Sequence, residues 1–135
     1  MIQRIQTLLL FLVIPVNVAF VFTPMFSHAL LDPGGWLSNT LIAALLFSAL
    51  LSVYAIVLFR DRGRQVHWIY RAALFQVIAL GALAGIFFTV GRIGSHLVGE
   101  IFSVALVAFG LLLQYAAIYF IKKDEALVKS MDRIR

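Results

Sequence analysis

Ala72-Ala73-Leu74-Phe75-Gln76-Val77-Ile78-Ala79-Leu80-Gly81-Ala82-Leu83-Ala84-Gly85-Ile86-Phe87-Phe88-Thr89-Val90 carries no charged side chain and is long enough to cross a bilayer as one helix. A hydrocarbon core of about 30 Å takes about 20 apolar residues in an α-helix, whereas a membrane barrel shows segments of about ten residues with alternating polarity. This stretch does not alternate. In lipid, every backbone N–H and C=O must be bonded within the segment itself, so the run is read as a helix.

Working outward, three more runs share this character, at about 7–26, 37–59 and 101–121, with 72–90 as the third of four. The 135 residues are 63% hydrophobic and 13% charged, with mean hydropathy +1.02, too apolar for a soluble domain of this length. The fold class expected is all-α: a single domain over 1–135, an integral membrane four-helix transmembrane bundle with a short amphipathic or charged C-terminal helix. A signal peptide is the competing reading of the first run, since Ser27-His28-Ala29 resembles a small-x-small cleavage site. The run is long for that purpose and is interrupted by Pro15 and Asn17, which favours an uncleaved helix, kinked at Pro15 and bent or ended at Pro24. Asp32-Pro33-Gly34-Gly35 reads as a turn with Trp36 at the interface.

Charge sets the orientation. Arg4, Arg60, Arg62, Arg64, Arg71, Lys122, Lys123, Lys129, Arg133 and Arg135 fall on one side of a four-span bundle, and Arg92 alone on the other. Ten bases against one place that side, with both termini, in the cytoplasm. These bases flank apolar runs, so they argue against nucleic-acid binding. Trp68, Tyr70 and Arg71 are expected at head-group depth. The chain has no cysteine, which excludes disulfide frameworks, thiolate metal sites and thiol redox chemistry.

Asn17, Gln76 and Gln114 each put an amide inside an apolar run, where exposure to lipid is costly, so each is expected to face another helix and hydrogen-bond there. Val77, Gly81, Gly85 and Thr89 form a small-residue stripe at four-residue spacing, with a weaker one at Ala44, Ser48 and Ser52. Such stripes let helices approach closely, within the bundle or against another subunit. His28, His96 and Glu100 lie near the outer helix ends and can be drawn as a haem or metal site, but interfacial histidines are common and neither a cofactor nor a metal is expected. There is no Ser/His/Asp spacing, no HExxH and no phosphate loop, so catalysis is not expected either. The tail, 122–135, reads as an amphipathic surface helix or as a continuation of the fourth helix into water.

The opening Met1-Ile2-Gln3-Arg4-Ile5-Gln6-Thr7 and the closing Lys123-Asp124-Glu125-Ala126-Leu127-Val128-Lys129-Ser130-Met131-Asp132-Arg133-Ile134-Arg135 resemble the two ends of domain-of-unknown-function family 4293. Phe59-Arg60-Asp61-Arg62 and Ile69-Tyr70-Arg71 fit its middle. The resemblance spans essentially the whole chain and implies a small four-helix inner-membrane protein of Bacteroidota-type bacteria with no assigned activity. Lys123, Asp124, Glu125, Lys129, Asp132, Arg133 and Arg135 are the residues expected to dock a partner. The function expected is a non-catalytic accessory or assembly subunit of a larger inner-membrane complex. Its alternative is a small transporter or a haem- or quinone-handling protein.

Overall fold

A computed structural model describes residues 2–89 and 97–133, with side chains at 5–89 and 98–133. Five helices follow one another: α1 (Ile2–Val21), α2 (Pro24–Ala29), α3 (Trp36–Val57), α4 (Arg62–Thr89) and α5 (Leu97–Asp132). Three of them, α3, α4 and α5, are long and apolar enough to cross a membrane, and α1 adds a shorter apolar span over Ile5–Val21. The outer faces match a lipid environment. Leu8, Phe11, Leu46, Leu50, Leu74, Phe88, Phe102 and Leu112 are all exposed.

The helix ends follow from local chemistry. Proline cannot donate a backbone hydrogen bond, so α1 stops at Val21 and α2 starts at Pro24, where a missing N–H costs nothing. Thr23 Oγ1 closes the break by donating to Phe20 O at 2.7 Å. Gly35 precedes α3 with φ +64°, a left-handed turn that glycine makes without strain. It has no side chain for capping, and Asp32 substitutes, accepting from Leu37 N at 3.1 Å and Gly34 N at 3.3 Å. Asp61 caps α4 in the same way, accepting from Arg64 N at 3.1 Å.

That cap corrects one boundary. The basic stretch up to Arg71 reads as a loop in the sequence, yet α4 begins at Arg62, ten residues before the apolar run at 72. The tail also resolves: it is no separate surface helix but the unbroken end of α5, up to Asp132.

α1 packs on α5 and α3, and α4 packs on α3 and α5, so the ring order is α1, α3, α4, α5. The interior is layered. One apolar cluster gathers Phe20, Met25, Leu41, Leu45, Leu83, Ile86 and Val107, and a second gathers Leu10, Ala55, Ile69, Ala117, Ile118 and Ile121. Between them lies a polar layer.

The α3/α4 seam is the most extensive contact, and the buried face of α4 carries Ala72, Ala73, Ala79 and Ala82. These alanines, rather than the glycines, form the inward small-residue face. Gly81 is exposed, and a Cβ built on it meets nothing within 4 Å; Gly85 alone touches a neighbour, where a Cβ would sit 2.9 Å from Leu37 Cδ2. Of the two expectations for Gly81, packing within the bundle does not fit its open surroundings, and contact with another subunit is left.

Candidate functional site

The polar layer takes one or more side chains from each long helix: Asn17 of α1, Ser48 and Ser52 of α3, Gln76 of α4 and Gln114 of α5. Asn17 and Gln76 are joined by a reciprocal amide pair across the bundle diagonal. Gln76 Nε2 donates to Asn17 Oδ1 at 3.0 Å, and Asn17 Nδ2 donates to Gln76 Oε1 at 3.4 Å and to Leu45 O at 3.3 Å. Gln76 Nε2 also donates to Val107 O at 3.1 Å, while Gln76 Oε1 accepts from Ser48 Oγ at 2.7 Å. Both N–H groups and the carbonyl oxygen of Gln76 are thus engaged. This is the condition under which a buried amide is tolerated.

The second diagonal runs through Gln114, whose Nε2 donates to Ser48 Oγ at 2.8 Å and to Ser52 Oγ at 3.3 Å. Both hydroxyls have already committed their protons, Ser48 to Gln76 and Ser52 to Ser48 O at 2.8 Å. Only acceptors face Gln114, which fixes its amide with nitrogen inward. Gln114 Oε1 is left without a partner among the described residues.

Gly110, one turn before Gln114, makes room for the layer. A Cβ there would lie 2.7 Å from Gln76 Nε2 and 3.4 Å from Asn17 Oδ1. The sequence reading missed this residue; its signal is a lone glycine at i−4 from a mid-helix glutamine.

The second buried polar feature stands apart. Glu100, in the first turn of α5, is 4% exposed, and its Oε2 has no hydrogen-bond partner among the described residues. It lines a groove of about 640 Å³ between α4 and α5, otherwise walled by Leu83, Phe87, Phe88, Ile101 and Val104. His28 sits half-buried on α2. His96 and Arg92 lie outside the described residues. Among the described residues, no three His, Asp or Glu side chains gather as a metal site.

At the other end of the bundle, Arg62 Nη2 meets Asp124 Oδ2 at 2.9 Å, which ties the start of α4 to α5. Lys122 Nζ donates to Tyr70 Oη at 3.0 Å, and Arg71 lies over the Trp68 ring at 4.3 Å. These are the interfacial positions that aromatic and long basic side chains favour. Beyond Asp124, α5 runs on with Leu127, Val128 and Met131 exposed between charges. Lys129 Nζ bonds Glu125 Oε1 at 2.8 Å. That hydrogen bond, together with the Lys129 charge and a smaller contribution from Arg62, holds the Glu125 carboxyl below its ordinary value of 4.5. Lys123, Asp132 and Arg133 are exposed on the same extension, and Arg135 lies outside the described residues.

Four apolar helices around a mid-bundle amide layer define a helical membrane protein. The chain belongs to the family described as Domain of unknown function (DUF4293), whose profile matches residues 2–134. No curated protein and no solved structure matches it.

Proposed function

We propose that the protein is a non-catalytic accessory or assembly subunit of a larger complex in a bacterial inner membrane, with the basic end and both termini in the cytoplasm. The observation that carries the reading is the end of α5: a helical extension past the Arg62–Asp124 tie, with Leu127 and Met131 48% and 69% exposed among charges. Apolar side chains presented beyond a bundle on a charged helix offer a partner both a contact face and electrostatic selectivity. The outward Gly81 stripe offers a lateral contact within the bilayer.

The test is purification of the tagged protein from native membranes in mild detergent, with and without residues 125–135. A stoichiometric companion that is lost with the tail supports the reading; a lone monomer, indifferent to the deletion, sinks it. Gly81→Leu and Gly85→Leu separate lateral contact from bundle packing. The first is expected to weaken association while leaving monomer stability within about 0.5 kcal/mol, and the second to destabilise the monomer through Leu37. The cysteine-free sequence makes orientation easy to check. An impermeant maleimide applied to intact cells should label Gly34→Cys and spare Ser130→Cys.

A second reading, a small transporter or a haem- or quinone-handling protein, is favoured by one observation: buried Glu100 in its α4/α5 groove, with Oε2 unpartnered among the described residues. Buried carboxylates at membrane helix ends are frequent parts of transport paths. Uptake or quinone binding lost on Glu100→Gln would replace the accessory reading with this one.

A further inference from the structure

α1 packs less extensively on α3 than on α5, and the α1/α3 seam holds two grooves in line. The groove at the basic end, about 460 Å³, has Gln6 and Gln65 buried in its floor, Leu8, Phe11 and Ile56 on its walls and Arg62 at its rim. The second, about 190 Å³, is lined by apolar residues such as Val18, Ile42 and Leu46. From Leu8 to Val18 the helix rises about 15 Å, half of the roughly 30 Å hydrocarbon core. Polar groups thus stand at one end of a cleft one leaflet deep, and apolar walls fill the rest.

Gln6 is 4% exposed, and its Nε2 has no hydrogen-bond partner among the described residues. A buried amide N–H left unpaired is costly, so the site calls for an acceptor. Arg62 spends one contact on Asp124 and keeps further N–H groups in its guanidinium. Next to it in the chain, Arg64 pairs with Asp61 at 3.1 Å, while Arg60 has no ion pair among the described residues, so the segment that carries Arg62 is net positive.

We propose that the α1/α3 seam is a specific seat for an anionic phospholipid, with its phosphate on Arg62 and Gln6 and an acyl chain along Leu8, Phe11 and Ile56 toward Val18. A second transmembrane helix fits the same cleft less well. Its backbone acceptors are spent internally, so it brings nothing to Gln6 Nε2, whereas phosphate and ester oxygens do. This seat stands independently of the accessory-subunit reading.

Native mass spectrometry of the full chain in detergent, titrated with phosphatidylglycerol or phosphatidylcholine, tests the seat. One phosphatidylglycerol is expected to stay bound and to be preferred. Arg62→Gln should reduce that preference about fivefold, the equivalent of about 1 kcal/mol per base near an anionic surface. Gln6→Leu should weaken both lipids alike. Asp124→Asn breaks the same ion pair but leaves Arg62 in place, so it should hold or strengthen binding and thereby separates lipid contact from helix tethering. Equal retention of the two lipids would overturn the proposal, as would displacement by inorganic phosphate, indifference to Arg62→Gln, or a second copy of the chain occupying the seam in place of lipid.

Discussion

Halfway across the bundle, Gln76 is fully buried and makes four hydrogen bonds to three other helices; at the start of α5, Glu100 is almost as buried, and its Oε2 makes none among the described residues. Both side chains are polar groups in an apolar protein, and burial alone does not distinguish them. Pairing does. The fully engaged Gln76 amide ties α4 to α1, α3 and α5 in register, because each donor reaches its acceptor at one relative height only. The Glu100 Oε2, without a partner among the described residues, holds nothing in register. The same logic separates the two small-residue faces of α4. Ala72, Ala79 and Ala82 are covered by neighbours, while Gly81 is on the exposed face of the helix.

The comparison can be broken most forcefully at Gly110. A leucine there must displace the Gln76 amide from both Asn17 Oδ1 and Val107 O and also overfill the layer, so Gly110→Leu is expected to cost about 3 kcal/mol. Unfolding by denaturant in detergent micelles measures it. A variant as stable as the parent would mean that the polar layer is looser than drawn.

Next in size come two substitutions to the same residue with opposite expected signs. Gln76→Leu keeps the volume but removes four interhelical hydrogen bonds, worth about 0.6 kcal/mol each in a membrane, so a loss of about 2 kcal/mol is expected. Glu100→Leu removes a buried carboxylate whose Oε2 has no partner among the described residues and extends the apolar walls of its groove, so a gain of about 1 kcal/mol is expected. Measured side by side in one detergent, the pair decides the matter. Two losses of equal size would show that Glu100 is as structural as Gln76.

The sequence disclosed this architecture unevenly. The runs at 37–59, 72–90 and 101–121 stand out because lipid demands about 20 apolar residues per crossing. The inward direction of Asn17, Gln76 and Gln114 follows from the cost of an amide in hydrocarbon, and the layer is where the fold puts them. Which amide meets which hydroxyl depends on the relative heights of helices far apart in the chain, and no local pattern encodes that. The Gly81-x-x-x-Gly85 spacing marks a face but not the direction in which it points; the direction is settled by the competing alanine face a fraction of a turn away. The early start of α4 was hidden because three arginines look like a loop, although Asp61 ahead of them is a good helix cap. Glu100 was visible only as a polar residue near a helix end, and its burial comes from the packing of α4 against α5.

The smallest expected effect lies outside the bilayer, where pairing and burial part company the other way. Glu125 is paired with Lys129 at 2.8 Å, but its side chain is 39% exposed and that of Lys129 73%, so the interaction is screened as neither Gln76 nor Glu100 is. Its carboxyl is held below the ordinary value of 4.5, first by the Lys129 hydrogen bond and then by the Lys129 charge. A depressed folded-state value means that the pairing helps the helical extension above 4.5 and that this help disappears as pH falls through the lowered value. Amide hydrogen exchange in the last turns of α5 should therefore speed up slightly in acid relative to neutral pH, once the intrinsic pH dependence of exchange is removed. Lys129→Ala should abolish the difference, and added salt should shrink it. A large acid-induced fraying of the extension, surviving Lys129→Ala, would instead show that Asp124 and its tie to Arg62 hold the tail, and that the paired surface charge contributes nothing.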